Sequence, residues 1–240
     1  MKVLIVRAAQ DARRTAARLA AAGRQAIVAP VLDIANLDFA PPVGVFDAIL
    51  ATSAHAFEKV DSLAPFRAVP LFVVGARTAE AARAAGFPAP QMVVANAGEL
   101  GAVAARDLPR GACVLYIAGR DRKPDLEAAL SPFFALTIVE TYAAEPVAAL
   151  PVAAAEALGS GDVAVLHYSQ RSAAIFLDLA GRAGFAAELG AARHIAISAD
   201  AAKPLLAAGL PVAVAAEPNE DSLIEELARI AADADRAGDA

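Results

Sequence analysis

The chain has 240 residues, of which 58% are apolar, a formal net charge of −6 and a single cysteine. The length favours two domains of about 100 to 130 residues, and the acidic balance, with no block of Lys or Arg, excludes a broad electrostatic surface for nucleic acid. Cys113 alone cannot form a disulfide or a thiolate metal site within one chain, and no apolar run reaches the roughly 18 residues of a membrane span.

The first predicted element is the strand VLIVR (3–7), which precedes the charges of MKVLIVRAAQDARR. This order is the reverse of that in a signal peptide, so we expect no export, no membrane partner and a cytoplasmic location. A helical pattern follows and stops at Gly23, and we expect Asp11 or Thr15 near its N-cap.

Further apolar runs alternate with helical patterns along the chain. The strands predicted after the first are QAIVAP (25–30), FDAILATS (46–53), PLFVVG (70–75), QMVVA (91–95), CVLYIAG (113–119), LTIVETY (136–142), DVAVLHYS (162–169), HIAIS (194–198) and VAVAAE (212–217). Most are continuous apolar stretches, as is typical of parallel strands that are covered on both faces. The predicted fold class is therefore α/β with doubly wound parallel sheets.

The two halves of the sequence resemble each other. VLIVRAAQDARRTAARL aligns without a gap with VLYIAGRDRKPDLEAAL, and VVGARTAEAARAAGF (73–87) resembles AISADAAKPLLAAGL (196–210). This repeat predicts that residues 1–107 and 112–240 each supply five strands in a flavodoxin-like order. Chance similarity among alanine-rich αβ units is the alternative interpretation.

The second strand of each half predicts that the lobes exchange strands. QAIVAPVLDIANLDF and ALTIVETYAAEPV are longer than the other strands and run on through Pro30 and Pro146, as extended connectors do. If both connectors carry the chain across to the other lobe, each lobe takes its first two strands from one half and its last three from the other.

The chain resembles the uroporphyrinogen-III synthase family over essentially its whole length. The resemblance lies in the ordered set VLIVR with AARLAAAG, LATSAHAF, VVGARTAEAARAAGF, LYIAGRDR, ETYAAEP and VLHYSQRSA. It implies two flavodoxin-like lobes joined by a two-stranded connector. The first lobe would comprise residues 1–33 and 147–240, the second would comprise 40–138, and the connectors would be 34–39 and 139–146.

The resemblance also implies a reaction. Members of that family are lyases of tetrapyrrole and heme biosynthesis that cyclise hydroxymethylbilane to uroporphyrinogen III, with inversion of the last pyrrole ring. We therefore expect a monomer that binds this small molecule between its lobes without a cofactor or metal. The sequence has no G-x-G-x-x-G after a strand and no P-loop. A non-enzymatic two-lobed module that binds an anionic small molecule, or regulates in response to one, is the alternative.

Candidate binding residues stand where predicted strands end, because ligands of open α/β sheets bind there, next to helix N-termini. They are Arg7, Ser53, Gly75, Thr78, Gly119, Arg120, Ser169, Gln170 and Ser198. Gly75 would let the backbone approach a substrate carboxylate, and Thr78 would add a hydroxyl. The second copy of this turn, at Ser198, lacks the glycine and threonine and carries Asp200, so we doubt that it binds as the first does. Helix capping is the alternative for both turns.

Tyr142 matches the tyrosine that the family carries in ETYAAEP, and it is the candidate acid for loss of the substrate hydroxyl. A phenol with a pKa of about 10 is a protonated donor at neutral pH. The alternative is a tyrosine that only packs the connector, and Tyr168 is the second choice of acid.

Other polar residues are predicted to have structural roles. We expect His167 and His194 to be structural and His55 to be at most a hydrogen-bond donor at a helix start. Glu220 is predicted to lie at a helix N-terminus with no further role.

Overall fold

The computed structural model describes residues 1–238. The strands of this part of the chain are β1 (Lys2–Ile5), β2 (Gln25–Val28), β3 (Leu32–Asn36), β4 (Ala48–Ala51), β5 (Leu71–Val74), β6 (Met92–Val94), β7 (Cys113–Gly119), β8 (Ala135–Pro146), β9 (Val163–His167), β10 (Arg193–Ala196) and β11 (Val212–Val214). The α-helices are α1 (Ala9–Ala21), α2 (Ala76–Ala84), α3 (Ala97–Asp107), α4 (Asp125–Leu130), α5 (Val152–Gly159), α6 (Gln170–Arg182), α7 (Ala186–Ala191), α8 (Ala199–Ala207) and α9 (Glu220–Gly238). Two short 3-10 helices span Ala54–Phe57 and Asp61–Phe66.

The first of two compact units consists of Met1–Asp33 and the chain from Glu145 onward. Its five-stranded sheet has the order β11-β10-β9-β1-β2, and every neighbouring pair in it is parallel. Read from β2, this is the flavodoxin-like order 2-1-3-4-5, with two strands from the first half of the sequence and three from the second. The central strands β1 and β9 are almost entirely buried, because helices cover both faces of the sheet.

The second unit consists of Ile34–Ala144. Its sheet has the order β3-β8-β7-β4-β5-β6, in which β8-β7-β4-β5-β6 repeats the flavodoxin-like order. The pairs within these five strands are parallel. The predicted α/β class, with two flavodoxin-like parallel sheets, is confirmed.

The two connecting segments pair along their length. Strand β3 lies next to β8; the Leu37 N–H donates to the Thr141 carbonyl at 2.9 Å, and the Val147 N–H donates to the Val31 carbonyl at 3.1 Å. Strand β8 is continuous through Tyr142 to its last residue, Pro146. The first connector differs from the prediction, because β2 ends at Val28 and the chain is irregular at Pro30 before β3 begins. A proline has no N–H for a strand ladder, which accounts for the break.

Helix α1 forms because Ala12, Thr15 and Leu19 recur at helical spacing and are buried on one face. Its N-cap is Ala8, which makes no side-chain cap bond. The prediction that Asp11 or Thr15 lies near the cap holds for Asp11, which is in the first turn, whereas Thr15 is a buried mid-helix residue.

Two buried histidines join neighbouring strands of the first unit. His167 Nε2 and His194 Nδ1 are 3.0 Å apart, and His194 Nε2 lies 2.9 Å from the Leu189 carbonyl. Burial, followed by the proximity of His194, lowers the pKa of His167 well below its ordinary value. Burial also lowers the pKa of His194. Both imidazoles are therefore neutral core groups.

Candidate active site

Four of the predicted site residues lie at one edge of the sheet in the second unit. Ser53 follows β4, Gly75 follows β5, and Gly119 and Arg120 stand at the end of β7. The register aligns these ends, because Ala51 of β4 is level with Val73 of β5 and with Ile117 of β7. Carboxyl ends of parallel strands form the binding edge of such sheets.

Tyr142 lies against Gly119 at this edge. The two residues are level in the β7 and β8 ladder, just after a register shift between Ala118 and Gly119, and the Arg120 N–H donates to the Tyr142 carbonyl at 2.8 Å. A Cβ placed on Gly119 would lie 2.5 Å from Tyr142 Cζ and 2.8 Å from its hydroxyl oxygen. The absence of a side chain at Gly119 is therefore what allows the phenol to occupy its position.

Burial raises the pKa of the Tyr142 phenol, and the nearby side chain of Ser53 opposes that rise. A neighbouring phenol, Tyr116, is paired with Thr52 at 3.0 Å, and burial raises its pKa as well. Tyr142 is thus a partly buried phenol that stays protonated at neutral pH.

His55 lies beside Tyr142 in the 3-10 helix Ala54–Phe57. It is only 8% exposed, its ring centroid is 5.7 Å from that of Tyr142, and its Nδ1 contacts Glu58 Oε1 at 2.5 Å. No local pattern in the sequence indicates that this imidazole packs on the candidate acid, because the contact joins a turn to the long strand β8.

The turn at Gly75 has a backbone that suits glycine alone. Gly75 has φ +80° and ψ 148° and precedes α2 without a side-chain cap, and its N–H donates to the Val94 carbonyl at 2.8 Å. Thr78 is in the first turn of α2, where only 3% of the residue is exposed. The burial of Thr78 favours a packing role for its hydroxyl. The first residues of α2, by contrast, follow Gly75 directly and so lie at the binding edge of the sheet.

The cationic segment after β7 separates into residues with different surroundings. Arg122 donates to Glu140 at 2.6 Å and to the Gly119 carbonyl at 2.7 Å, and it pairs with Glu127. Arg120 is exposed, and together with Arg122 it lines a cavity of about 520 Å³ formed with residues 37–40 and 138–140. Of these two side chains, that of Arg120 is the more exposed to solvent.

In the first unit, Ser169 and Ser198 are both N-caps at strand ends. Ser169 Oγ accepts the Ser172 N–H at 3.1 Å, and Ser198 Oγ accepts the Ala201 N–H at 3.3 Å. Gln170, the first residue of α6, is exposed. These side chains cap helices, and Ser169 and Gln170 are also open to solvent.

Arg7 belongs to a network of charges that the sequence did not predict. Its guanidinium lies 4.0 Å from the centre of the Tyr168 ring and contacts Asp11 at 3.2 Å and Glu220 at 3.5 Å. Glu220 also accepts from Thr15 Oγ1, from Arg18 at 2.8 Å and from the Tyr168 hydroxyl at 3.2 Å.

This network corrects the prediction for Glu220 and bears on Tyr168, the second-choice acid. Glu220 was expected only to favour a helix dipole, but it holds four side chains; burial raises its pKa, yet the bonds from Thr15 and Arg18 outweigh burial, so that the pKa is lowered overall. Burial raises the pKa of Tyr168 to about 12, and its hydroxyl is engaged by Glu220. Tyr168 is therefore a poorer candidate acid than Tyr142.

Within the described residues, 1–238, two further classes of feature are missing. No three or more His, Cys, Asp or Glu side chains in this range are grouped so as to hold a metal ion. None of the helices in the same range combines the length and the apolar character needed to cross a membrane.

The fold and the candidate site together define a class: an α/β protein of two flavodoxin-like units, with a partly buried phenol at the binding edge of the second unit. A family model described as uroporphyrinogen-III synthase HemD matches residues 13–225. The chain therefore belongs to the uroporphyrinogen-III synthase family, whose members are lyases of tetrapyrrole biosynthesis, and the predicted resemblance and enzyme class are confirmed.

Solved structures agree on the fold. The crystal structure of uroporphyrinogen-III synthetase from Helicobacter pylori has 15% identity and a TM-score of 0.63, and the match covers 95% of this chain and 99% of that one. A mutant uroporphyrinogen III synthase from the extremely thermophilic bacterium Thermus thermophilus has 18% identity and a TM-score of 0.55, with 95% and 98% covered. No curated protein sequence matches the chain significantly.

Proposed function

We propose that the chain cyclises hydroxymethylbilane to uroporphyrinogen III, inverting the last pyrrole ring, without a cofactor. The observation that carries this proposal is the placement of the Tyr142 phenol at the binding edge of its sheet, against Gly119, in a chain that belongs to this family. Membership of the family supports the reaction class, and the phenol supplies the acid that the first step needs.

Tyr142 is the general acid for loss of the substrate hydroxyl. Protonation of that hydroxyl lets it leave as water and generates an azafulvene; the substituted carbon of the last ring then attacks, and the spiro intermediate fragments and recloses. The pyrrole nitrogens supply the electron density for these steps. A positioned acid typically accelerates such a departure by about 10² to 10⁴-fold.

The eight carboxylates of the substrate need local donors, because the protein is acidic overall. We assign this role to the helix starts at Ser53, Gly75 and Ser169 and to the exposed side chain of Arg120, and we assign a weaker one to the helix start at Ser198, where Asp200 adds a negative charge to the first turn. Charge-assisted hydrogen bonds of about 1.5 to 3 kcal/mol each act at short range and do not require a positive net charge.

Arg7 takes a different part in substrate binding. Because its guanidinium already contacts Asp11 and Glu220, a substrate carboxylate has to compete with both for it. Gln170 adds an exposed amide next to Ser169, and Thr78 supports the start of α2 from its buried side.

The larger contribution of the protein is to hold a flexible tetrapyrrole in the one curled shape that leads to inversion. Fixing reactive groups in this way is worth several kcal/mol of activation free energy. That the substrate is held between the two lobes stays a prediction, and binding residues on both units would be consistent with it.

The product isomer tests the proposed function. Hydroxymethylbilane closes spontaneously to the non-inverted isomer I, so purified protein mixed with freshly generated substrate is expected to yield isomer III instead. The Tyr142→Phe variant is the matched control, in which isomer III should form more slowly. If the wild-type protein yields isomer I alone at the spontaneous rate, the proposed function fails and the non-enzymatic binding module takes its place.

A further inference from the structure

The ladder between β7 and β8 shifts its register immediately before Tyr142. Ala118 of β7 is level with Glu140 of β8, but the next residue of β7, Gly119, is level with Tyr142. Thr141 is therefore one extra residue on β8 between two successive pairs, which is the arrangement of a β-bulge. Bulges are rare in parallel pairs, and next to active sites they re-aim a side chain. The place of this bulge, one residue ahead of the candidate acid, indicates that it directs the phenol.

The side chains of β8 show the pattern that an uninterrupted strand would continue. Ile138 packs against the hydrophobic core on one face of the sheet, and Val139 belongs to the core on the other face. Because successive side chains of a strand point to opposite faces, regular alternation would send Thr141 to the face of Val139. Tyr142 would then share the face of Ile138, and the two adjacent side chains would meet different layers.

The structure instead brings both side chains to the 3-10 helix that follows β4. Thr141 Oγ1 donates to the Ala56 carbonyl of that helix at 3.1 Å. The Tyr142 ring centroid lies 5.7 Å from that of His55 in the same helix, and Tyr142 packs against the core that contains Val139. The register shift has therefore turned the phenol from the face of the sheet that alternation predicts to the opposite one.

Two side chains secure the shifted segment. Thr141 is only 1% exposed, so its hydrogen bond to the Ala56 carbonyl lies in the interior, where losing a partner is costly. Arg122 Nη1 donates to the Gly119 carbonyl at 2.7 Å and to Glu140 Oε1 at 2.6 Å. The first bond fixes the extra residue itself, and the second pair joins β7 to β8 across the shift.

We propose that Thr141 and Arg122 are positioning residues, because they maintain the register shift that turns the Tyr142 phenol toward the 3-10 helix after β4. Each acts through the backbone that carries the phenol, so neither has to contact the substrate. The inference rests on the proposed function, since Tyr142 is the acid of that reaction. Arg122 thus has a role other than the binding of substrate carboxylates.

The composition of the chain allows a test without substrate, because it has three tyrosines and no tryptophan. In a background with Tyr116→Phe and Tyr168→Phe, the tyrosine band of the near-ultraviolet circular dichroism reports Tyr142 alone, and it is strong only while the ring is held in one orientation. Thr141→Val removes the hydroxyl with a side chain of similar shape, so we expect this band to weaken while the far-ultraviolet signal is retained. An undiminished band would overturn the proposal.

Matched variants separate positioning from a general effect on packing. Thr141→Ser retains the hydroxyl and should retain the band, and a loss equal to that in Thr141→Val would count against the proposal. Thr137→Val makes the same substitution in β8 ahead of the shift and should leave the band unchanged; an equal loss there would also overturn it. Arg122→Gln tests the second contact, and it replaces Thr141→Val if that variant fails to fold. A folded Arg122→Gln protein with an intact band would contradict the role of Arg122.

Kinetics provide an independent readout. Thr141→Val should lower kcat about tenfold with little change in KM, because a displaced acid slows the chemical step and leaves the contacts with the substrate carboxylates in place. The same substitution should cost nothing further in a Tyr142→Phe background, and an equal loss in both backgrounds would refute positioning through the phenol. Wild-type protein that yields only isomer I would refute the proposed function, whereas the dichroism of Tyr142 would still show whether Thr141 fixes its ring.

Discussion

Gly119→Ala is the substitution whose effect follows most directly from the geometry of the site. The new Cβ would lie 2.5 Å from Tyr142 Cζ and 2.8 Å from its hydroxyl oxygen, whereas favourable contacts between carbon atoms begin near about 3.5 Å. Gly119 is fixed by its place opposite Tyr142 in the β7 and β8 ladder, so the ring is what must move, by about 1 Å. A catalytic group misplaced by about 1 Å costs about 10²-fold in rate, or about 2.7 kcal/mol of activation free energy.

Single-turnover formation of isomer III in wild type, Gly119→Ala, Tyr142→Phe and the double variant measures this effect. If Gly119 acts only through the position of the phenol, the double variant should be no slower than Tyr142→Phe alone. Gly181→Ala, in α6 where an added Cβ meets nothing within 4 Å, is the matched control and should not slow turnover. A Gly119→Ala protein that is folded and as fast as wild type would refute the assignment of the acid to a phenol in this position.

Three other substitutions test separate parts of the site and the core. Tyr142→Phe should lower kcat by about 10² to 10⁴-fold with little change in KM, and an unchanged rate would remove Tyr142 from the acid role. Thr78→Ala should lower the melting temperature without affecting KM, because Thr78 is 3% exposed; a tenfold rise in KM would show instead that its hydroxyl reaches the substrate. His167 is held neutral, with its pKa lowered by burial, so the unfolded chain binds a proton that the native chain does not as the pH falls below about 6.5. The free energy of unfolding of wild type should therefore decrease on acidification below that pH, and His167→Leu should reduce this slope by up to about 1.4 kcal/mol per pH unit in chemical denaturation. An equal slope in both proteins would contradict a neutral buried His167.

The fold class could be predicted because buried parallel strands appear in the sequence as continuous apolar runs. Each of the ten predicted runs overlaps a strand, and several predicted ends extend past the observed ones, as with Ser53 after β4 and Tyr168 after β9. The residues just beyond a strand remain extended and partly buried, so periodicity alone cannot separate them from the ladder. Strand β3 was not predicted as a separate element, because the apolar pattern runs on through Pro30.

The site could be predicted only as a set of strand ends. That Ser53, Gly75 and Gly119 stand at one edge follows from parallel topology and from strand boundaries alone. The contact between Gly119 and Tyr142 depends on the register of β7 and β8 and on the shift after Ala118, which no local pattern specifies.

The network around Glu220 lay beyond sequence reasoning for a related reason. Arg7 and Glu220 are separated by 213 positions and meet because the end of β1 and the start of α9 belong to the same unit. The spacing of Arg7 and Asp11 indicates a helical i,i+4 pair, but nothing in it indicates the third partner. Long-range ion pairs are set by topology, and the carboxylate of Glu220 could be read only as a favourable charge at a helix start.

The two copies of the repeated turn differ in whether the N–H groups at the start of the following helix remain available to an anion. Ser198 has an extended backbone, φ −160°, and its hydroxyl accepts the Ala201 N–H, so the start of α8 is capped by its own side chain. Gly75 adopts φ +80°, which serine does not readily take, and it has no side chain to cap α2. An uncapped first turn presents its N–H groups and the positive end of the helix dipole outward. Asp200 adds a negative charge in the first turn of α8, whereas α2 has no acidic residue there. The physical difference between the copies therefore favours the Gly75 turn over the Ser198 turn as the place where a substrate carboxylate binds.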